Sequence, residues 1–176
     1  MVAGYKLDAN EQVVQETGRH WIDLMPMVVS TVCLVAGAIG LAFIDGLGIV
    51  PTLVPGRLVL GVIVALIILA GILFVTGLWV YRQNKLIITN LHLIEVEQQG
   101  LFARKVSQLS LARVQDVSGH RRGFIATIFN YGDIEVQSAG EQDNFTFVNA
   151  PGPQELADAC LQAHEQFINT NPDREM

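Results

Sequence analysis

The chain has 176 residues, of which 51% are hydrophobic, a mean hydropathy of +0.39 and a formal net charge of −6. An acidic balance of this kind excludes nucleic-acid binding driven by bulk electrostatics. The two cysteines, Cys33 and Cys160, form no CxxC-type metal or redox motif and read as small apolar residues.

Residues 1–20 read as a polar, partly extended cytoplasmic leader with a small apolar step at Val13 and Val14. Its acidic residues Asp8, Glu11 and Glu16 argue against a cleaved signal peptide, whose leading segment is short and basic. Two apolar runs follow, residues 21–44 and 58–81. Each exceeds the ~20 residues that cross a bilayer core as a helix. The second carries no charge, and the first carries only Asp23, within a turn of its start. A Gly/Pro-rich link, residues 45–57, joins them, so residues 21–81 are expected to form a transmembrane hairpin. Lys6 and Arg19 precede the first run, and Arg82 and Lys85 follow the second, whereas the link holds only Arg57. The positive-inside bias therefore puts both termini in the cytoplasm of a multi-pass protein of the inner (cytoplasmic) cell membrane. Trp21, Trp79 and Tyr81 fall at the cytoplasmic interface, where amphipathic rings lie. Asp23 reads as a solvated or helix-start carboxylate rather than an intramembrane ion site. Small residues at helix-contact spacing, Ala36/Gly40 and Gly61/Ala65, read as packing within the hairpin rather than as a dimer seam.

Beyond Arg82 the apolar period changes from helix to strand. Residues 86–89, 92–98, 102–111 and 113–118 read as strands, with turns at Asn90-Leu91 and Gln99-Gly100. Residues 123–129 read as a helical turn and Asn130-Tyr131-Gly132-Asp133 as a tight turn. Strands follow at 134–137 and 144–148, separated by a turn at Ala139-Gly140-Glu141. Pro151 and Pro153 then introduce an amphipathic helix over 154–168, its apolar stripe at Leu156, Cys160, Ala163 and Phe167 with Leu161 and Ile168 beside it. Short antiparallel strands closed by one terminal helix form a small barrel or sandwich. Residues 82–170 are thus one soluble domain, and residues 171–176 are read as a disordered tail.

Small barrel, then terminal helix, is a pleckstrin-homology (PH) architecture, and the chain resembles the bacterial PH-domain membrane proteins, in which two membrane helices precede a cytoplasmic PH-like domain. The resembling pieces are Leu7, Glu11-Gln12-Val13-Val14 and Arg19-His20-Trp21 in the leader, then Leu86-Ile87-Ile88-Thr89-Asn90 and Gly100-Leu101-Phe102-Ala103-Arg104. Residues 109–117 (LSLARVQDV), Tyr131-Gly132-Asp133-Ile134-Glu135-Val136 and Ser138-Ala139-Gly140 complete the set, in order and at fitting spacing. Two departures, Leu91-His92 where relatives often carry Arg and Gln108 before Leu109, bear on a sheet surface more than on the fold. The resemblance implies an α+β membrane protein: a two-helix hairpin followed by a PH-like antiparallel β-barrel or sandwich capped by a C-terminal helix. It carries over no catalytic residue.

No chemistry-bearing motif stands against that expectation. His20, His92, His120 and His164 lie in four separate elements with no metal-ligand spacing, and no phosphate loop or nucleophile elbow is present. No catalytic, cofactor or metal site is expected, and the chain is not read as an enzyme. Asp116, Asp133 and Glu135 read as surface charge and turn residues rather than a carboxylate dyad. The candidate lipid- or partner-binding residues are Arg104, Lys105, Arg113, Arg121 and Arg122, a basic half set against an acidic second half of the domain. The function expected is a non-enzymatic, membrane-anchored module presenting a cytoplasmic surface. Its partners would be the bilayer with a protein or copies of itself, and anionic lipid headgroups are a further candidate. The alternative is a subunit of an oligomeric membrane transport or envelope-stress complex.

Overall fold

A computed structural model describes residues 11–49, 55–138 and 145–170. They form two compact units: Leu24–Trp79, and Met1–Asp23 together with Val80–Met176.

The smaller unit is helical. A 3-10 turn, Trp21–Leu24, leads into α1, Met25–Gly46, with Pro26 in its first turn where a missing N–H leaves no bond unmade. The second helix, α2, spans Gly56–Gln83. Both are long and apolar enough to cross a membrane, over Trp21–Gly46 and Gly56–Gln83. Inside the unit the Met27 side chain occupies the space over Gly77, and Ala38, Val59 and Ala70 are buried. The pairs Ala36/Gly40 and Gly61/Ala65, expected to pack within the hairpin, do not: Ala36 and Ala65 are exposed and a Cβ at Gly40 or Gly61 would meet open space. The expectation is corrected because the helices meet through Met27 and Gly77 rather than through those stripes. The hydroxyls of Ser30 and Thr76 bond carbonyls of their own helices, Met27 at 2.9 Å and Ile72 at 2.8 Å.

The larger unit holds two antiparallel sheets. Strands β1 (Val13–Gly18), β2 (Lys85–Thr89), β3 (His92–Gln98) and β4 (Arg104–Ser110) form the first, in that order. Strands β5 (Val114–His120), β6 (Tyr131–Ser138) and β7 (Phe145–Pro151) form the second, with a short helix, α3 (Phe124–Ile128), between β5 and β6. The last element is α4, Pro153–Thr170.

The stretch read as a leader thus supplies a strand of the sheet. Gly18 pairs with Lys85 and Val13 with Thr89, so the two apolar helices are inserted between consecutive strands. A buried polar cluster holds the far end of that pairing. The Thr89 hydroxyl lies 2.7 Å from the Glu11 carboxylate and accepts the His92 amide at 2.8 Å, and the His92 ring contacts Glu11 at 3.0 Å.

The core is built from the inward side chains of both sheets, among them Leu86, Ile88, Leu93, Ile134, Val136 and Phe147. The stripe on α4 closes it with Leu156, Cys160, Ala163 and Phe167, at the helical spacing the sequence presents. The helix sits so close to β5 that a Cβ at Gly119 would strike the Pro153 carbonyl group, so only glycine fits there. The tight turn expected over residues 130–133 is shorter: β6 already begins at Tyr131, because Asn130 alone takes the left-handed conformation (φ 50°). The turn expected at residues 139–141 and the tail at 171–176 lie outside the described residues.

Replacing Thr89 by Val would strand the Leu91 and His92 amides and remove one partner of the Glu11 carboxylate. The expected loss is about 1–3 kcal/mol, read as a lower midpoint in thermal unfolding of the full chain in detergent. An unchanged midpoint would show that this cluster does not hold β1 to the sheet.

Candidate functional site

The chain leaves the larger unit after Asp23 and returns at Val80, and both crossings are pinned by polar contacts. The Arg19 guanidinium reaches Asp23 at 3.5 Å and Glu97, on β3, at 3.4 Å. Asp23 also accepts a hydrogen bond from the Asn149 side chain (3.0 Å), and the His20 amide donates to the Asn149 carbonyl (2.6 Å). Asn149 holds a left-handed backbone (φ 54°), and its own amide donates to Asp133 at 3.1 Å. Asp23 is therefore a tie between the chain and β7, a role that neither of its sequence readings contained. On the return side the Tyr81 hydroxyl donates to the Arg19 carbonyl (2.9 Å). Buried Asn84 donates to the Val80 carbonyl (2.9 Å) and accepts the Gln98 amide (2.7 Å), joining the end of α2 to the end of β3. Sequence reasoning passed over Asn84 and Asn149, since a lone Asn beside a helix end or in a strand has no distinguishing pattern.

Two loops flank these crossings. The β3–β4 loop, residues 99–103, follows Gln98 directly, and its Phe102 is 98% exposed with Leu101 half exposed. The α3 segment carries Phe124, 80% exposed, with Ile125, Ile128 and Phe129 also exposed. Phe129 meets Trp21 edge to face (ring centroids 5.3 Å), and the adjacent Tyr131 ring stacks on His20 (5.2 Å). Burial lowers the pKa of His20, so its ring tends to be neutral in this stack.

The sequence-predicted basic residues divide between the two ends of the fold. Arg104 and Lys105 open β4 opposite Gln98 and Glu97, beside the β3–β4 loop. Arg121 and Arg122 precede α3, and Arg121 donates to the Asn130 side chain at 2.9 Å. Arg113 stands apart. It closes the 3-10 turn Leu111–Arg113, which follows Ser110, and Ser110 pairs with His92 at the opposite end of β3.

The titratable groups otherwise have structural surroundings. His120 contacts the Ser118 hydroxyl at 3.1 Å and His164 the Leu111 carbonyl at 2.7 Å. Burial pushes the Cys160 thiol up to about 12. Among the described residues no group of three or more His, Cys, Asp or Glu stands together as a metal cage. A shallow cleft of about 410 Å³ between β1, β7 and α4 is lined by Gln15, Thr17, Pro151, Gly152, Glu155 and Leu156, with Glu155 its one ionisable side chain.

A four-stranded and a three-stranded antiparallel sheet closed by a C-terminal helix define a PH-like fold. The Bacterial PH domain family matches residues 31–164, and the chain belongs to that family. The match starts within α1 and so leaves β1 outside it. Among solved structures, the chain is similar to a DUF1696 family protein with a pleckstrin-homology domain from Shewanella loihica. That likeness has 18% identity and a TM-score of 0.35, and covers 49% of this chain and 72% of that one. No curated protein matches.

Glu95 is a strongly perturbed carboxyl near the site. It lies on β3 opposite Leu86 and Ser107. Burial, helped by the neighbouring Glu97 carboxylate, pushes its pKa up to about 7, against the opposing pull of Arg19 and Lys105. A carboxyl whose folded pKa lies above its unfolded 4.5 gives stability that is complete below pH 4.5 and is lost as pH rises through 7. Glu95→Gln is therefore expected to flatten the fall of the unfolding midpoint across that window and to leave the variant more stable than the parent at pH 8. Equal pH slopes in thermal melts of both chains would remove Glu95 as the source.

Proposed function

We propose that the chain is a non-enzymatic, membrane-anchored PH-like module that presents a cytoplasmic interaction surface to a protein partner or to a second copy of itself. The observation that carries this reading is the position of the helices. They are inserted between β1 and β2 rather than appended at one end, so the barrel would be fixed by two covalent tethers that start and finish at the same paired residues, Gly18 and Lys85. A domain held in this way stays at the membrane, which suits a docking surface more than a freely diffusing catalyst.

The transport alternative draws less support. The hydroxyls of Ser30 and Thr76 are engaged by their own helix carbonyls, and Asp23 is tied to Arg19 and Asn149. With Thr31, whose buried hydroxyl has no hydrogen-bond partner, those are the side chains a polar path through the hairpin would need.

Cysteine labelling tests the anchoring. In right-side-out spheroplasts an impermeant maleimide is expected to label Leu47→Cys, in the link, and to label Ala112→Cys only after lysis, with the parent chain giving the background. Labelling of Ala112→Cys in intact spheroplasts, or extraction of the chain by alkaline carbonate, would overturn the topology.

A further inference from the structure

Exposed apolar side chains scattered over a surface need no explanation, but contiguous ones rimmed by charge do. In the larger unit two loops carry such groups. Leu101 and Phe102 sit at the tip of the β3–β4 loop, and Phe124, Ile125 and Ile128 on α3. Each apolar group has a basic pair next to it in sequence: Arg104-Lys105 after the first, Arg121-Arg122 before the second. Neither loop is far from the points where the chain departs for the apolar helices. The end of β3 is bonded to Asn84 and Arg19, and Phe129, the residue that follows α3, touches Trp21. Trp21 is the first residue of the apolar span and is itself exposed. Apolar side chains flanked by cations, next to a membrane span, have the chemistry that suits the interface of an anionic leaflet.

We propose that the β3–β4 loop and α3 dock into the anionic leaflet of the bilayer that the hairpin spans, with Leu101, Phe102, Phe124 and Ile125 entering the interface and Arg104, Arg121 and Arg122 meeting lipid phosphates. This rests on the anchored reading above and names the occupant of one face of the module. The bond from Arg121 to Asn130 uses one of its five N–H donors, so the guanidinium can hold its loop and contact a phosphate together. The apolar rings supply insertion, and the cations select a negative surface, in the manner of an interfacial amphipathic segment. A soluble anion offers nothing to the rings, which is why the bilayer and not free phosphate fits the site. The negative charge of the rest of the chain would repel an anionic leaflet elsewhere, which sharpens the orientation.

The test places a nitrobenzoxadiazole probe at Phe102→Cys, Phe124→Cys or, at the opposite end of the sheet, Ala112→Cys, in full-length chain carrying Cys33→Ala. Buried Cys160 stays unlabelled. Each is reconstituted singly into nanodiscs of phosphatidylcholine with phosphatidylglycerol, and reduction by aqueous dithionite is timed. The probes at 102 and 124 are expected to react about tenfold or more slowly than at 112, because the interface lies several ångströms beyond the reach of the reagent. Arg121→Glu with Arg122→Glu should bring the rate at 124 towards that at 112, whereas Arg113→Glu should not. Reduction at 102 and 124 as fast as at 112, with the chain still held in the disc, would overturn the docking and leave the anchor intact. Failure of the chain to enter discs at all would defeat both. Protection that appears only in discs holding two chains would overturn the proposal in favour of a second copy covering the loops.

Discussion

The pairing of β1 with β2 is the constraint on which the rest of the domain depends. It joins Val13–Gly18 to Lys85–Thr89 across two long apolar helices. Closing a chain over so long an excursion costs conformational entropy, but that cost rises only as the logarithm of loop length. It is smaller still when helical hydrogen bonding fixes the intervening residues locally, since ordered segments have little freedom left to lose. The contacts that repay it lie at the two ends of the strand pair. Glu11, Thr89 and His92 hold one end, and Arg19, Tyr81 and Lys85 the other, with Lys85 paired to Glu16. Without β1 the backbone of β2 would be an open edge carrying Leu86, Ile87 and Ile88, a template for unwanted strand pairing.

The polar cluster at the crossings follows from that arrangement. A chain that changes from strand to apolar helix must satisfy the backbone and side-chain groups where the ladder ends. Asn84 does so for the end of α2 and the end of β3 together, and Asn149 does so for His20 and Asp23. Arg19 balances Asp23 and Glu97, yet Glu95 stays poorly compensated, since its burial and the Glu97 charge outweigh the pull of Arg19 and Lys105. Buried polar networks are favourable only when nearly every member is partnered. Glu95 is a carboxyl there whose ionised form burial opposes, so the sensitivity of this joint to pH concentrates on it.

Much of the fold is legible in the sequence because the apolar period changes cleanly. Two long apolar runs, alternating strands and the stripe Leu156, Cys160, Ala163 and Phe167 each state their element type. What could not be read was set by distant partners. The strand VVQETG has apolar residues only at its first two positions, and its side chains are exposed save for partly buried Thr17. Its strand character comes from β2, which lies beyond both helices. The small pairs in the hairpin misled because the same spacing arises wherever Gly and Ala are common, and the contact depends on which face each helix turns inward. The five basic residues were visible as residue types, but a string of letters does not show that four lie beside two protruding apolar loops and that Arg113 lies at the other end of the sheet. Phe102 and Phe124 read as strand and helix-turn residues, with nothing in their spacing to mark them as exposed.

Two tethers and two docked loops, taken together, would use up one end of the barrel. A protein partner would then have to meet the opposite end, where the turn between β2 and β3 lies beside the 3-10 turn carrying Arg113, since the Leu111 amide bonds the Leu91 carbonyl. Among the described residues at that end, Leu111 is fully buried, Leu91 packs against the core, and Ala112 and Arg113 are exposed. Recognition there would rest on polar and charged contacts around a fixed backbone, which favour specificity and rapid encounter over large buried area. The same geometry limits what a ligand pocket could be. The shallow cleft beside β1 and α4 is walled by the strand whose pairing holds the fold together, so a ligand that widened it would have to loosen Gln15 and Thr17 from β2.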